Sequence, residues 1–389
     1  MRAHYGPVPF GRTVAFMAGT AGKRIAILTS GGDAPGMNAA IRAATLVGRS
    51  LGADVVGIER GYRGLLESAF VPLAPGDVQG ILRDGGTMLG SARCKEFHRR
   101  EVRDRARANL ANHGIDGLIV IGGNGSLTGA LYLAHPDELD GRALSVIGLP
   151  ASIDNDLGFT GMSIGVDTAM NTIVEACDKI ADTASAHDRT FIIEVMGRDC
   201  GYLAMTSAIA VGADLALFPE AGKPEAAIVD QIVDTVMTVR SRSRRSRRVL
   251  IIKAEGVAIP MERLKQEVDA RLRERYPDSE GASVETRFTV LGHVVRGGRP
   301  SAFDRLIASR FGNVAVRALL AGISHKMAAW MPAQAIPEDV GAVSAFDPKI
   351  WLVDLAAALA ETENLLAGRS PLTRWRAGAF DQIEDALLL

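Results

Sequence analysis

Twice in this chain an apolar run of strand length ends in a glycine-rich turn and passes straight into a helical pattern. The first run spans 24–29, turns through Ser30-Gly31-Gly32-Asp33-Ala34-Pro35-Gly36-Met37-Asn38 and continues as a helix over 39–48. The second spans 117–121, turns through Gly122-Gly123-Asn124-Gly125-Ser126 and continues as a helix from Leu127. Such units predict an α/β chain with mainly parallel sheets and helices on their faces. They also suit phosphate, because glycines let backbone N–H groups approach an anion and the helix N-terminus adds partial positive charge. One Gly-Gly-Asn-Gly turn is ordinary loop chemistry; two such turns, each after a buried strand, predict a polyphosphate ligand. Neither is G-x-G-x-x-G nor a Walker A sequence, and the lack of the former after a strand sets a dehydrogenase aside.

A third apolar run, 145–149, is closed by Gly148 and Pro150 and leads into Ala151-Ser152-Ile153-Asp154-Asn155-Asp156. Pro150 holds Leu149 extended and turns the chain outward. Two carboxylates at the carboxyl end of a strand can divide labour, one taking a proton and the other holding a metal. On these residues alone an Asp-Asn turn bonding its own backbone is the better account, and the rest of the chain decides for the catalytic one. Further strands are read over 54–58, 190–195, 214–218, 248–253 and 285–291, and helices over 101–113, 167–184, 225–239 and 303–320. Arg93 ends a flexible Gly85-Gly86-Thr87-Met88-Leu89-Gly90-Ser91-Ala92 segment and is either a surface residue or a clamp across two phosphates. Arg198 follows a strand end. Arg287, His293 and Arg296 fall within ten residues of one another and suggest a monoanion seat. The tail reads as an amphipathic helix over 350–366 and then a polar end around Trp375, with no site chemistry.

At 389 residues the chain exceeds the usual single core, so two domains are expected. A mean hydropathy of +0.12 owes much to alanine and glycine, and no apolar run approaches the ~20 residues of a membrane span. A formal net charge of −1 argues against a general nucleic-acid binder. Cys94, Cys177 and Cys200 are widely spaced and form neither a metal pattern nor a disulfide framework, which suits a reducing cytoplasm. Residues 1–23 read as a flexible leader. The six arginines within 240–248 read as a solvated loop, with an anion site as the minority reading.

The chain resembles the phosphofructokinase A family from about Lys23 to about residue 325. Seven ordered segments carry the resemblance: Thr-Ser-Gly-Gly-Asp-Ala-Pro-Gly-Met-Asn-Ala-Ala-Ile-Arg, Gly-Gly-Thr-Met-Leu-Gly-Ser-Ala-Arg, Gly-Gly-Asn-Gly-Ser, Ser-Ile-Asp-Asn-Asp, Glu-Val-Met-Gly-Arg, Ala-Glu-Gly and Leu-Gly-His-Val-Val-Arg-Gly-Gly. It implies two three-layer α/β/α domains and phosphoryl transfer from ATP to the 1-hydroxyl of fructose 6-phosphate, with Mg²⁺. By the resemblance Asp154 takes the hydroxyl proton, and Arg198 and Arg93 meet the charge on the phosphoryl oxygens. Gly32, Arg93, Cys94, Gly123, Asn124, Gly125 and Ser126 would line the nucleotide, and Asp156 with Asn124 would hold the metal. Ser152, Asp154, Asp156, Met196, Gly197, Arg198, Glu255, His293 and Arg296 would hold the sugar phosphate. Arg189 and Arg287 match residues that reach it from a neighbouring subunit, which implies a homo-oligomer, with a tetramer expected. No nucleic acid or membrane partner is implied, and the expected location is cytoplasmic.

Diphosphate-using relatives carry an acid at the position of Gly125 and a lysine at that of Ala151, so the resemblance points to ATP. A diphosphate-dependent enzyme, a kinase of another sugar phosphate such as sedoheptulose 7-phosphate, and a non-catalytic regulatory homologue are the alternatives. Asn124 departs from the family's Asp, and Ser152 from its Thr. The effector pocket of regulated members is poorly matched, since Arg42 is kept but other basic positions read Leu46, Pro75 and Ala181. The expected division is a nucleotide-side domain of 24–165 plus 295–345 and a sugar-side domain of 166–294 plus 346–389.

Overall fold

The computed structural model describes residues 22–135, 144–242, 247–277, 284–332 and 336–387. The expected leader up to residue 21 and the middle of the arginine run, 243–246, lie outside them. In chain order the first stretch is β1 (Arg24–Ser30), α1 (Met37–Ser50), β2 (Asp54–Ile58), α2 (Gly61–Leu66), β3 (Phe70–Pro72), α3 (Arg100–Asn112), β4 (Gly117–Gly122), α4 (Asn124–Leu133) and β5 (Ser145–Pro150). A second stretch follows: α5 (Val166–Ala186), β6 (Thr190–Val195), α6 (Tyr202–Val211), β7 (Leu215–Leu217), α7 (Glu225–Arg242), β8 (Val249–Ala254), α8 (Met261–Arg275) and β9 (Thr286–Val290). The remainder is α9 (Ala302–Leu320), β10 (Lys326–Trp330), β11 (Gly341–Ser344), β12 (Asp347–Asp354), α10 (Leu355–Leu366) and α11 (Pro371–Leu387).

The strands form two sheets. One has eight strands in the order β11-β12-β10-β5-β4-β1-β2-β3, and the other has four in the order β7-β8-β6-β9. Every pairing in the small sheet is parallel, as are those from β10 through β5, β4 and β1 to β2. Parallel strands covered on both faces read as unbroken apolar runs, which is why alternation is missing from the sequence. Ile25 and Ile27 of β1 face one core with α1 and α9, while Ala26 and Leu28 face another with α2, α3, α4 and α10. In the small sheet Ile193 and Val195 face α5 and α6, and Ile192 faces α7 and α8. Each sheet is therefore the middle of three layers, and the core of α1 and α9 runs on without a break into that of α5 and α6.

Asp304, in the first turn of α9, pins the seam between the sheets. Helix α5 opens on Gly165 in the left-handed region, with no side-chain cap of its own. Asp304 accepts hydrogen bonds from the N–H groups of Gly165 and Thr168, each at 2.8 Å, and from the Thr168 hydroxyl at 2.6 Å. Orphan donors at a helix start are thus satisfied from another helix.

The boundary drawn at residue 346 needs correction. β12 pairs antiparallel with β10 and extends the large sheet, and α10 packs beside α4, so 347–366 belong with that sheet. Of the tail, α11 reaches the small-sheet side, where Phe380 meets Phe218 edge to face, and Leu365 at the end of α10 joins Leu372 and Cys200 in one cluster. The helix read over 350–366 likewise starts only at Leu355, because Ile350, Leu352 and Val353 are used in a ladder.

Candidate active site

The carboxyl ends of β1, β4 and β5 from the large sheet and of β6 from the small one open onto a single cleft of about 580 Å³. This is the crevice in which open α/β sheets hold ligands. Both glycine-rich turns line it. Gly122 cannot be replaced, since a Cβ there would lie 2.5 Å from the Ser30 carbonyl oxygen and 2.6 Å from Ser126 Oγ. The close approach lets the turn after β4 press against the end of β1 and leaves the N-terminus of α4 facing the cleft. Gly125 is the opposite case, because a Cβ there would meet nothing within 4 Å. Its bare backbone borders open space where an extended ligand fits.

Asn38 carries the next piece into place. Its amide donates to the carbonyls of Asp84 and Gly85 and accepts from the N–H of Met88. The Ser91 hydroxyl donates to the Gly31 carbonyl at 2.5 Å, so Arg93 and Cys94 arrive at the cleft wall. Sequence reasoning missed Tyr62 here. It is buried, its hydroxyl donates to the Ser126 carbonyl at 2.5 Å, and its ring stacks on Phe97 at 4.2 Å. Tyr62 props the first turn of α4 from beneath, and only tertiary packing reveals it.

The loop after β5 carries the acids. Asp156 accepts a 2.7 Å hydrogen bond from the Ser152 hydroxyl. Asp154 is treated differently: its Oδ1 is buried and has no hydrogen-bond partner among the described residues. Burial first, then the charge of Asp156, push its carboxyl up to about 6, and the Arg296 guanidinium pulls back. Glu255 and Asp199 add to the upward push. A carboxylate poised near neutrality beside a cleft can accept a proton. Asn155 between the two acids is fully buried and left-handed, with φ 49°.

Arg296 comes close to the turn after β1, where a Cβ on Gly32 would sit 2.4 Å from its Nη1. It also donates to the Asp33 carbonyl at 3.3 Å. Arg198 lines the cleft from the small-sheet side, on a turn where Gly197 has φ 126° and a Cβ would strike the Cys200 carbonyl oxygen at 2.5 Å. Met196 is buried at the end of β6. His293 shares a 3-10 turn with Arg296 but is itself exposed.

The grouping of Arg287 with His293 and Arg296 does not survive. Arg287 stands near the amino end of β9, ion-paired with Glu285, which also pairs with Arg189 at 3.1 Å. A strand advances about 3.3 Å per residue, so β9 carries Arg287 about 13 Å from the turn that follows it. Arg189 precedes β6 at the same end. Both arginines therefore face away from the cleft of their own chain.

Among the described residues no group of three or more His, Cys, Asp and Glu is arranged to hold a metal. Asp156 and Asn124 line the same cleft and offer two oxygen ligands. Such a set fits Mg²⁺, which keeps several waters and binds through one or two protein oxygens plus ligand phosphates. No described helix is long and apolar enough to cross a membrane.

Residues 24–319 match the phosphofructokinase family. The chain is 45% identical over 307 residues to an ATP-dependent 6-phosphofructokinase of Thermotoga neapolitana, covering 79% of this chain and 89% of that one. It is 46% identical over 298 residues to one from Macrococcus caseolyticus, covering 77% and 86%. Among solved structures, phosphofructokinase from Saccharomyces cerevisiae superposes with a TM-score of 0.77 at 34% identity over 92% of this chain. That match takes in 50% of the yeast chain, so the present chain spans half its length. A pyrophosphate-dependent phosphofructokinase from Marinobacter aquaeolei, at TM-score 0.70 and 22% identity over 86% of this chain and 83% of that one, shares the fold.

Proposed function

The chain belongs to the phosphofructokinase family, and from that premise we propose that it is an ATP-dependent 6-phosphofructokinase, converting fructose 6-phosphate to fructose 1,6-bisphosphate. The observation that carries the reading is Asp154: a buried carboxylate oxygen without a partner among the described residues, raised to about 6, in the loop whose Ser152 and Asp156 line a cleft walled by two phosphate-cradling turns. Asp154 accepts the proton of the sugar's 1-hydroxyl as that oxygen attacks the terminal phosphate. Phosphoryl transfer needs positioning and charge stabilisation more than covalent chemistry. Arg93 and Arg198 meet the charge on the transferred group, where one good donor is worth on the order of 3 kcal/mol. Gly32, Gly123, Gly125 and Ser126 carry the nucleotide, with Cys94 at its side. Asp156, held by Ser152, and Asn124 would hold Mg²⁺, which when bound neutralises phosphate charge. Ser152, Met196, Gly197, Glu255, His293 and Arg296 receive the sugar phosphate.

ATP is favoured over diphosphate by the open space at Gly125 and by the small, buried Ala151. The placement of Arg189 and Arg287 at the far end of the small sheet supports their service to a neighbouring subunit's sugar phosphate, in a homo-oligomer working in the cytoplasm. The test is a coupled assay with fructose 6-phosphate and Mg²⁺, offering ATP or diphosphate as donor. ATP sustains turnover and diphosphate does not. Equal or faster turnover with diphosphate overturns the donor assignment, and turnover with neither overturns the reaction.

A further inference from the structure

Helix α11 lies beyond the residues 24–319 that match the family, yet it reaches the loop that carries the acids. Arg376, 9% exposed, donates from Nη1 to the carbonyl oxygen of Asn155 at 3.0 Å. The same nitrogen lies 3.9 Å from Cys200 Sγ, and the guanidinium sits 4.6 Å over the Tyr202 ring. Asn155 belongs to the turn after β5, whereas Cys200 and Tyr202 follow β6 on the small-sheet side. One buried cation therefore ties the two walls of the cleft together.

The residue it grips has a left-handed backbone. The left-handed region is sparsely populated outside glycine, asparagine being among the residues that enter it most readily, and here the surroundings hold Asn155 there. Asn155 is held at four points, its own N–H donating to the Ser152 carbonyl at 3.3 Å. Its Nδ2 donates to the Gly161 carbonyl at 3.1 Å, its Oδ1 accepts from the Ser163 N–H at 3.0 Å, and its carbonyl accepts from Arg376. That carbonyl is one half of the peptide group whose N–H belongs to Asp156. The Gly161 and Ser163 bonds fix the side chain and the Ser152 bond fixes the preceding peptide; of the four, the Arg376 bond acts on the peptide plane that aims Asp156.

We propose that Arg376 is a positioning residue for the Asp154-Asn155-Asp156 loop, and that the C-terminal helix is thereby a working part of the catalytic centre. The inference rests on the proposed phosphoryl transfer. Without the guanidinium the 155–156 peptide is free to rotate, Asp156 swings off its metal-facing direction, and Asp154 loses its alignment. Helix α11 is separately anchored by Leu372 against Cys200 and Leu365 and by Phe380 on Phe218, so the side chain can be changed without detaching the helix.

The experiment compares wild type with Arg376→Met, which keeps bulk and loses the donors, Arg376→Lys, which keeps the charge on a single donor nitrogen, and Arg376→Ala, which leaves room for added guanidinium. Misplacement of a catalytic group by about 1 Å costs on the order of a hundredfold in rate. In Arg376→Met, kcat falls by about that factor and the Mg²⁺ requirement rises, while KM for fructose 6-phosphate stays within about threefold. Arg376→Lys recovers part of the rate, and guanidinium restores part of it to Arg376→Ala. A folded Arg376→Met protein with wild-type kcat overturns the proposal. So does a loss that Lys shares in full and guanidinium does not relieve. If Arg376→Ala and Arg376→Met do not fold, Arg376→Lys decides: lowered kcat at an unchanged melting temperature supports the role, and wild-type kcat removes it. Wild-type turnover in the same assay tests the underlying reaction separately, so the two failures are distinguishable.

Discussion

Asp154 and Asp304 are both carboxylates taken out of water, one in the loop after β5 and the other at the seam between α9 and α5. Burial raises the pKa of both. At Asp304 three donated hydrogen bonds oppose the rise, and both carboxylate oxygens are engaged. At Asp154 the neighbouring Asp156 adds to it, and Oδ1 accepts nothing among the described residues. A buried acid with its bonds filled holds structure together; a buried acid with an unfilled lone pair is held ready for a proton from elsewhere. Burial does not separate the two roles, but hydrogen-bond satisfaction does.

The sharpest way to break the comparison is to neutralise each acid. Asp154→Asn keeps the shape and removes the base, and positioned general bases contribute about 10²–10⁴ in rate, so kcat falls by roughly a thousandfold. Stability moves the other way. The folded carboxyl titrates near 6, above its unfolded value of ~3.9, so its stabilising contribution is full below ~3.9 and is lost as pH rises through about 6. At pH 8 the charge therefore costs up to about 3 kcal/mol, and the Asn variant melts no lower than wild type. Near-normal turnover, or a marked fall in melting temperature, would place Asp154 with Asp304 instead.

Asp304→Ala gives the mirror result. It strands the N–H groups of Gly165 and Thr168 and the Thr168 hydroxyl in a dry seam, at a combined cost of about 3 kcal/mol or more. Denaturant unfolding reads that loss directly, and kcat per folded molecule at low temperature stays within a few-fold of wild type. A thousandfold loss of kcat in a folded Asp304→Ala protein would erase the distinction.

The two acids were also unequally legible. Asp154 sits in a legible local setting, an apolar run, a proline and two acids in ten residues, but that setting alone fits a plain turn, and the family resemblance supplied its role. The glycines of the phosphate turns could be read locally, as their strand and helix are their immediate neighbours. Asp304 gave no signal, because its partners are more than a hundred residues away in sequence. Tyr62 and Arg376 were invisible on the same ground; their partners, Ser126 and Asn155, are met only in the folded chain. Arg287 shows the converse error. Closeness in sequence suggested a shared seat with His293, and the extended strand between them carries the two to opposite ends of the sheet. Residues 350–354 misled as helix because an apolar run that short fits either period; their ladder with β10, and Arg310 bound to Asp347 at its start, decide for strand.

A third effect follows from the titration itself. Asp154 must be ionised to take the proton, so kcat/KM falls about tenfold for each pH unit below about 6 and levels off above it. The Asp154→Asn protein retains its small residual rate without that limb. A profile with its acid limb near pH 4 would mean that burial does not hold the Asp154 carboxyl up in solution, and the titrating base would have to be sought elsewhere.

The smallest effect lies inside the loop, where Asp154 and Asp156 repeat the contrast two residues apart. Both side chains are half-buried, but Asp156 has a donor, the Ser152 hydroxyl at 2.7 Å. A partly exposed hydrogen bond to a carboxylate is worth about 1 kcal/mol, or roughly fivefold in an equilibrium constant. In Ser152→Ala the carboxylate loses its orientation and not its charge, so the Mg²⁺ concentration for half-maximal rate rises about fivefold while kcat at saturating metal is largely kept. Ser152→Thr keeps the hydroxyl and should leave that concentration unchanged. A proton acceptor damaged in the same way would lose kcat at every metal concentration. If Ser152→Ala did so, the hydroxyl would be serving Asp154 through the loop, and the division of labour between the two acids would have to be redrawn.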